Sequence, residues 1–398
     1  MNILQLCKKF PFPAKDGESV AILSMSQGIA SRGSQISLLA MNTSKHFVDV
    51  KHDAESLQHY KEIRTVFIQN RVDPIDAFLN LFTNKSYNIE RFISSAFKSQ
   101  LIRLLESNKY DVIQLESLFM APYIETIRKY TDARIVMRSH NLEFEIWENL
   151  SAKTKNPVLK WYYSLCSKRL KNYEFNNLKD LDTIVFISSE DAIKYKSLGY
   201  TGAYHVSPVG FNVLDYNASG NARKIKKLGY IGSLDWKPNI EGIEWFLSEA
   251  WPLIKKTFPD LEFHLAGRNA GTSLINSLPK SIHFHGEIDN ALNFINDLDI
   301  LIVPLFSGSG IRVKILEGMA LSKVVLSTLK GFEGIGITHG VNALQFNSGQ
   351  EIIEGIKVCI DDHAKYSEMK SSAREHIEAS FDYSLLSEKL LDHYKNLN

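Results

Sequence analysis

The sequence predicts an α/β protein with two doubly wound parallel sheets, one in each half of the chain. Short apolar runs alternate with helical patterns in both halves, for example at 3–7 and at 227–231, as expected for parallel strands buried between helices. A polar stretch rich in Gly, Ser and Asn at 212–223 separates the two series and is typical of a connection between domains. With 398 residues, the chain is long enough for two cores.

The predicted elements follow one another as strand, helix, strand along both halves. The opening unit is Rossmann-like in plan but lacks a GxGxxG motif, so a nicotinamide site is poorly supported there. In the first half, strands are predicted at 3–7, 36–41, 65–69, 111–115, 134–138 and 183–187, and helices at 20–31, 89–105, 121–129 and 160–178. In the second half, strands are predicted at 227–231, 261–266, 283–285, 300–305, 324–327 and 344–346, and helices at 236–256, from 311 onward and at 384–395.

Charge and cysteine content exclude several classes of protein. The net charge is +1, which argues against a protein that binds nucleic acid through a strong basic field. Cys7, Cys166 and Cys359 are scattered and form no CxxC or Cys/His cluster, so neither a disulfide scaffold nor a zinc site is supported. We therefore expect a reducing, cytoplasmic setting. No run approaches the roughly 20 apolar residues that would span a bilayer.

The segment 301–327 carries the strongest functional signal. A buried strand is followed by the loop Ser307–Gly310 and by a helix, and such a turn presents backbone N–H groups and the positive end of a helix dipole to an anion. Arg312 and Lys314 lie in the first turn, and Glu317 lies roughly 10 Å from Gly310 along the helix. A phosphate near the loop and a sugar diol near the carboxylate fit this spacing. The alternative is a surface helix with ordinary charges, but the basic pair and the Glu favour the site.

Other candidate groups follow predicted strands, at the edge where open α/β sheets bind ligands. Gly17 permits either a close backbone approach to a ligand or simply a turn, and His140 is either a ligand-site residue or a structural one. Ser233, Arg268 and Glu287 also follow strands. Two facing sheets would place all of these groups around one cleft.

The helical stretch at 160–178 has two interpretations. It mixes aromatic residues with Lys168, Arg169 and Lys171, which suits contact with an anionic membrane surface. Such a stretch is more often a long helix with one packed face and one solvated basic face.

Several segments together resemble the retaining glycosyltransferases of family 4, which have the GT-B architecture of two Rossmann-like domains facing a cleft. Segment 301–334 resembles the donor-site signature, and YIGSLDWKPN at 230–239 resembles the first strand and turn of the donor domain. HGEID at 285–289, PVGFN at 208–212 and RSHNLEFEIW at 138–147 also match in order. The resemblance implies an acceptor-side domain at 1–210, with the final helix at 382–398 packing back on it, and a donor-binding domain at 211–381.

The resemblance also implies roles for individual residues. Arg312 and Lys314, together with N–H groups around Ser309 and Gly310, would hold the diphosphate of a nucleotide sugar, and Glu317 would bind the ribose. His140 would lie beside the transferred sugar. The expected catalytic residues are therefore His140, Arg312 and Lys314, and the expected donor-binding residues are Gly17, Gly232, Ser233, Glu287, Ile288, Ser309, Gly310 and Glu317.

Two departures from the family pattern concern the donor site. Ser309 stands where the family usually has a Glu that contacts the donor sugar, so the resemblance does not define the sugar. Ser233 follows Gly232 where an Arg is common, and Pro238 lies near a common Lys position. Our hypothesis is that Arg312 and Lys314 replace that basic pair from the other side of the diphosphate; Lys237 is a weaker candidate.

The expected function is transfer of a sugar from a nucleoside diphosphate sugar to a glycan, a lipid-linked sugar or a small molecule, with retention of anomeric configuration. No DxD-like pair occupies a metal position, so no metal and no cofactor beyond the co-substrate are expected. The expected location is cytoplasmic, with peripheral contact at the inner membrane face left open. The alternatives are a nucleotide-sugar epimerase of the same architecture and a non-catalytic nucleotide-sugar-binding protein.

Overall fold

The computed structural model describes residues 1–14, 16–44, 46–49, 55–218, 224–308 and 311–397. These residues divide into two compact units, Met1–Gly210 with Tyr383–Asn398, and Phe211–Asp382. Two predicted donor-binding residues, Ser309 and Gly310, lie outside the described residues. Within the described part of the chain, no helix is both long and apolar enough to cross a membrane.

The first unit contains a seven-stranded sheet in the order β3-β2-β1-β4-β5-β6-β7. All of its strand pairs are parallel, and the order reverses between β1 and β4, where open α/β sheets bind their ligands. The strands are β1 (Asn2–Cys7), β2 (Gln35–Thr43), β3 (Tyr60–Ile68), β4 (Val112–Glu116), β5 (Arg134–Ser139), β6 (Thr183–Phe186) and β7 (Tyr204–Val206).

Helices cover both faces of this sheet, because successive strand residues point to opposite sides. Leu4 and Leu6 belong to one buried cluster, whereas Ile3 and Cys7 belong to the other. The helices are α1 (Gly17–Ser31), α2 (Pro74–Asn80), α3 (Tyr87–Glu90), α4 (Ser95–Ser107), α5 (Ile124–Tyr130), α6 (Glu143–Lys153), α7 (Pro157–Asn177), α8 (Ser189–Ser197) and the final helix of the chain, α16 (Tyr383–Lys395).

The final helix packs against α1 in the first unit. A Cβ at Gly28 would lie 2.7 Å from the Tyr383 carbonyl oxygen and would collide with Ser387 Oγ, so glycine permits the close approach of the two helices. Further along α16, Tyr394 Oη donates a 2.8 Å hydrogen bond to Gln114 Oε1 of β4. The end of the chain is thereby tied to the centre of the first sheet.

The second unit contains a six-stranded parallel sheet in the order β10-β9-β8-β11-β12-β13. Its order reverses between β8 and β11. The strands are β8 (Lys227–Ile231), β9 (Glu262–Ala266), β10 (Ile282–Gly286), β11 (Ile300–Val303), β12 (Val324–Ser327) and β13 (Leu344–Gln345). The helices are α9 (Lys237–Trp245), α10 (Trp251–Thr257), α11 (Thr272–Ser277), α12 (Ala291–Asp297), α13 (Val313–Ala320), α14 (Gly349–Asp361) and α15 (His363–Phe381).

Some predicted elements differ from the structure. The single helix predicted at 89–105 is wrong: it is two helices, α3 and α4, because Ser94 is extended and its side chain caps the new helix at Phe97 N–H. The short α2 was not predicted, because none of its residues is buried and it therefore has no core-facing periodicity. The predicted helix at 236–256 contains a π-helical segment, Phe246–Ala250, shortly before Pro252, a residue that lacks a backbone N–H.

Candidate functional site

The second unit holds a basic group at its topological switch point. Lys314, in the first turn of α13, donates hydrogen bonds from Nζ to Tyr230 Oη at 2.8 Å and to Asn239 Oδ1 at 3.3 Å. Its Nζ also lies 4.2 Å from the centroid of the Tyr230 ring. Because Tyr230 belongs to β8 and Asn239 to α9, three elements fix the position of this amine.

The turn after β8 fits closely around that amine. A Cβ at Gly232 would collide with Lys314 Nζ and would lie 2.8 Å from Tyr230 Oη, so glycine leaves the space in which the Lys314 amine lies. Asn239 Nδ2 donates to the Ser233 carbonyl oxygen at 2.8 Å, and Arg268 Nε donates to Ser233 Oγ at 3.2 Å. The structure thus brings together three of the predicted site residues: Gly232, Ser233 and Lys314.

Burial strongly shifts the pKa values of Lys314 and Glu317, the two ionisable groups on α13. Burial, reinforced by the charge of Arg312, lowers the pKa of Lys314 to about 7. Burial also raises the pKa of Glu317 to about 7, against the influence of Lys314. Arg312 is itself buried at the N-cap of α13. A bound anion would relieve the unfavourable charging of Lys314, so the arrangement suits a phosphate.

The loop before α13 is anchored to α9. Ser307 Oγ donates to Glu241 Oε2 at 2.9 Å. Gly308 has a φ of 96°, and a Cβ there would lie 2.9 Å from the Trp236 ring. The alternative basic candidate, Lys237, is largely exposed and lies 3.7 Å from Glu241.

The turn after β10 lies at the same edge of the sheet. Gly267 N–H donates to the Gly286 carbonyl oxygen at 2.7 Å, which joins this turn to the end of β9. A Cβ at Gly267 would collide with the Gly232 carbonyl oxygen, so β8 and β9 also end in close contact. In this turn Glu287 is exposed and Ile288 is half-buried, and both are accessible to a ligand at this edge.

In the first unit, the predicted catalytic histidine is paired with a carboxylate. His140 Nε2 lies 2.9 Å from Glu116 Oε2, at the ends of β5 and β4. Burial opposes ionisation of Glu116, but Arg138, His140 and Gln5 outweigh it and hold its pKa at about 2. Because Glu116 is ionised, it accepts this hydrogen bond, and His140 Nε2 carries a proton.

Charged side chains surround the start of α1 in the same unit. Gly17 is the exposed first residue of α1, and Asp16 caps that helix while accepting from Lys9 Nζ at 2.7 Å. Glu18 lies 3.3 Å from the amines of both Lys8 and Lys9. Glu18 also interacts electrostatically with His140, so the start of α1, where Gly17 lies, and His140 belong to the same region of this unit.

Several residues of these two regions were missed by sequence reasoning. Tyr230 and Asn239 hold Lys314, and Glu116 orients His140, yet none of them was a candidate. A polar residue at the end of a buried strand, such as Glu116, is a sequence pattern that could have identified a site residue. Lys8, which directly follows β1, carries the same signal.

Comparisons with known proteins agree with this architecture. Residues 225–362 match the family model described as Glycosyl transferases group 1. Over 364 residues the chain is 26% identical to a Klebsiella pneumoniae protein described as an uncharacterized 44.6 kDa protein in the cps region, with 85% of this chain and 86% of that protein covered.

Solved structures match over the full length of the chain. Sucrose-phosphate synthase from Thermosynechococcus elongatus superposes with a TM-score of 0.71 at 16% identity, covering 100% of this chain and 99% of that one. The chain has the GT-B glycosyltransferase fold. Anabaena Alr3699/HepE in complex with UDP-glucose matches with a TM-score of 0.66 at 16% identity, and 100% of each chain is covered.

Proposed function

We propose that the protein is a retaining glycosyltransferase of family 4 that transfers a sugar from a nucleoside diphosphate sugar to an acceptor. The observation that carries this proposal is the placement of Lys314 against the Gly232 turn, with Glu317 one helical turn further on. The group 1 match over the second unit supports it, as does the UDP-glucose bound to the Anabaena relative. The Klebsiella relative in a cps region supports a role in polysaccharide biosynthesis.

The second unit is the proposed donor-binding domain. Arg312 and Lys314 bind the diphosphate, and Glu317 accepts hydrogen bonds from the ribose hydroxyls. Glu287 and Ile288 contact the base. Cleavage of the anomeric C–O bond develops negative charge on the leaving phosphate, and fixed cations stabilise that charge more in the transition state than in the ground state. These cations take the place of a metal, so the proposed reaction needs none.

The first unit is the proposed acceptor-side domain. His140 lies beside the transferred sugar and contacts its hydroxyls, while the hydrogen bond with Glu116 fixes the orientation of the His140 ring. The exposed Gly17 allows donor or acceptor to approach the backbone at the start of α1. With Ser309 in place of the usual Glu, we propose that the contacts to the donor sugar differ from those of the commoner family members.

Kinetics of single variants test the donor site. Arg312→Ala and Lys314→Ala are expected to lower kcat/KM by about 10²–10³, the effect typical of removing one group that stabilises the transition-state charge. Glu317→Ala is expected to raise mainly the KM for the donor. The matched control is Lys365→Ala, at an exposed lysine of α15. Near-wild-type kinetics in all three site variants would contradict the assignment.

Product analysis distinguishes a retaining transferase from an epimerase and from a non-catalytic binding protein. NMR of the product is expected to show the donor's anomeric configuration, and activity is expected to persist in excess EDTA. An altered donor without any glycosylated acceptor would instead indicate an epimerase. Donor binding without hydrolysis or transfer would indicate a non-catalytic binding protein.

We also propose that the first unit contacts an anionic membrane surface, which suits a lipid-linked acceptor. Residues 149–173 contain six Lys or Arg and no Asp or Glu. In the same stretch Val158, Leu159 and Trp161 are exposed. Basic residues beside exposed apolar and Trp side chains are typical of interfacial helices.

The neighbouring α2 extends this apolar surface. Ile75, Phe78, Leu79 and Phe82 are each between 56% and 78% exposed. Arg169 of α7 donates to the carbonyl oxygens of Asn80 at 2.9 Å and Leu81 at 3.0 Å, which attaches the end of α2 to the basic helix. Exposed apolar patches of this kind mark interaction surfaces.

Co-sedimentation with vesicles tests the membrane contact. The wild type is expected to sediment with vesicles that contain phosphatidylglycerol, and to remain in solution with pure phosphatidylcholine or at high salt. A Phe78→Ser, Trp161→Ser double variant is expected to lose at least fivefold in binding. Leu329→Ser, at an exposed apolar residue of the second unit, should bind as the wild type does. Equal binding by all three proteins would contradict this surface.

A further inference from the structure

One face of the second sheet carries four metal-binding side chains on its outer two strands. Glu262 and His264 are two residues apart on β9, and His283 and His285 are two residues apart on β10. Residues two apart in a strand point to the same face, and the parallel register pairs His283 with His264. The His264 ring stacks on both neighbours, with centroid distances of 4.8 Å to His283 and 5.2 Å to His285.

The hydrogen bonds of His264 resemble those of a metal ligand. Its Nε2 lies 3.3 Å from Glu262 Oε2, and its Nδ1 lies 3.0 Å from His285 Nε2. Two ligands about 2.0–2.1 Å from a tetrahedral Zn²⁺ are themselves about 3.3 Å apart, which matches the separation between His264 and Glu262. Glu262, His264 and His283 each have one potential ligand atom within 4.8 Å of those of the other two. Small side-chain rotations would bring all three atoms to bonding distance from one metal ion.

We propose that Glu262, His264 and His283 form a binding site for Zn²⁺ or a similar divalent transition metal. The metal takes the position between His264 Nε2 and Glu262 Oε2, and His283 supplies the third ligand. The proton of the His264 ring then resides on Nδ1 and is donated to His285, which orients the ring as second-sphere partners of metal-bound histidines do. Three protein ligands leave one position for water. The proposal does not depend on glycosyl transfer.

The side chains around Glu262, His264 and His283 leave this position open to a metal ion. Lys226 Nζ pairs with Glu262 at 3.1 Å, but through Oε1, the oxygen that does not face His264. The other nearby amine, Lys227, pairs with Asp297 at 2.5 Å. His283 is exposed, so an ion can enter from solvent.

Calorimetric titration of untagged protein with ZnCl₂ tests the site, and Co²⁺ absorption provides a spectroscopic readout of its coordination. The wild type is expected to bind one ion per chain. His283→Ala removes an exposed ligand without disturbing the core and is expected to weaken Zn²⁺ binding at least tenfold. His285→Ala removes the orienting partner and is expected to weaken it about tenfold. The matched control, His363→Ala, removes an exposed histidine of α15 and should leave binding unchanged.

Two results would overturn the proposal. One is failure of the wild type to bind Zn²⁺ or Co²⁺. The other is unchanged affinity in His283→Ala, which would assign any bound ion to another part of the chain. Because His283 is exposed, equal melting temperatures of the metal-free variant and wild type are expected, and they would exclude misfolding as the cause of lost binding.

Discussion

Binding of a nucleoside diphosphate should change the protonation of the donor site, with a sign that depends on pH. At pH 8 a lysine with a pKa of about 7 is only about one-tenth protonated. A diphosphate beside Lys314 restores its charged form, so about 0.9 proton should be taken up. Glu317, also with a pKa of about 7, is then already about nine-tenths ionised and contributes a release of only about 0.1. The expected net uptake is about 0.8 proton.

At pH 6 the expected net proton exchange on binding changes from uptake to release. Lys314 is already about nine-tenths protonated and takes up little, whereas Glu317 is mostly protonated. Ribose hydroxyls that donate to the ionised carboxylate would then drive release of about 0.9 proton, so the net change is a release of about 0.8. The sign of proton linkage should therefore change near pH 7.

Calorimetry in buffers of different ionisation enthalpy measures this linkage directly, with UDP-glucose as the first probe, because its diphosphate has no group that titrates between pH 6 and pH 8. Lys314→Met should abolish the uptake at pH 8 and leave the release at pH 6, and Glu317→Gln should do the opposite. Lys365→Met serves as the control on α15. Binding that is proton-neutral at both pH values, or uptake that persists in Lys314→Met, would refute the proposed contacts of these two side chains.

Three further substitutions test the packing. Gly232→Ala should weaken donor binding at least tenfold in calorimetry by displacing Lys314, whereas Gly271→Ala, where a Cβ meets nothing within 4 Å, should not. Glu116→Gln leaves Arg138 buried without its carboxylate and should lower the free energy of unfolding in urea by about 3–5 kcal/mol. The wild type should lose this stabilisation as pH falls from about 4.5 through about 2. A wild-type unfolding free energy that does not change over this pH range would contradict the prediction. Gly28→Ala should cost about 1–3 kcal/mol by separating α1 from α16, and unchanged stability would show that the helices can move apart.

Local sequence patterns predicted most of the fold. Largely apolar runs such as 3–7 and 300–303 are buried parallel strands, because both faces of these sheets are covered by helices. The pattern failed where a local cap overrode periodicity, as at Ser94, and where a helix such as α2 has no buried face. No zinc site was supported by the sequence, because only a cysteine or Cys/His cluster was considered. The proposed metal site uses Glu262, His264 and His283 instead, and the alternation of these residues on β9 and β10 was the signal that could have predicted it.

The sequence by itself determined the fold class, the strand–loop–helix–strand unit at 301–327 and the residues at the ends of its strands, because each of these depends on the chemistry of a short segment. The tertiary structure decided which of those residues meet. Strand order places β8 beside β11, so that Tyr230 and Asn239 hold Lys314, and it sets Glu116 of β4 next to His140 after β5. Burial then moves the pKa values of Lys314 and Glu317 to about 7. Such perturbations arise from desolvation and from charges that are distant in sequence, and no local pattern encodes them.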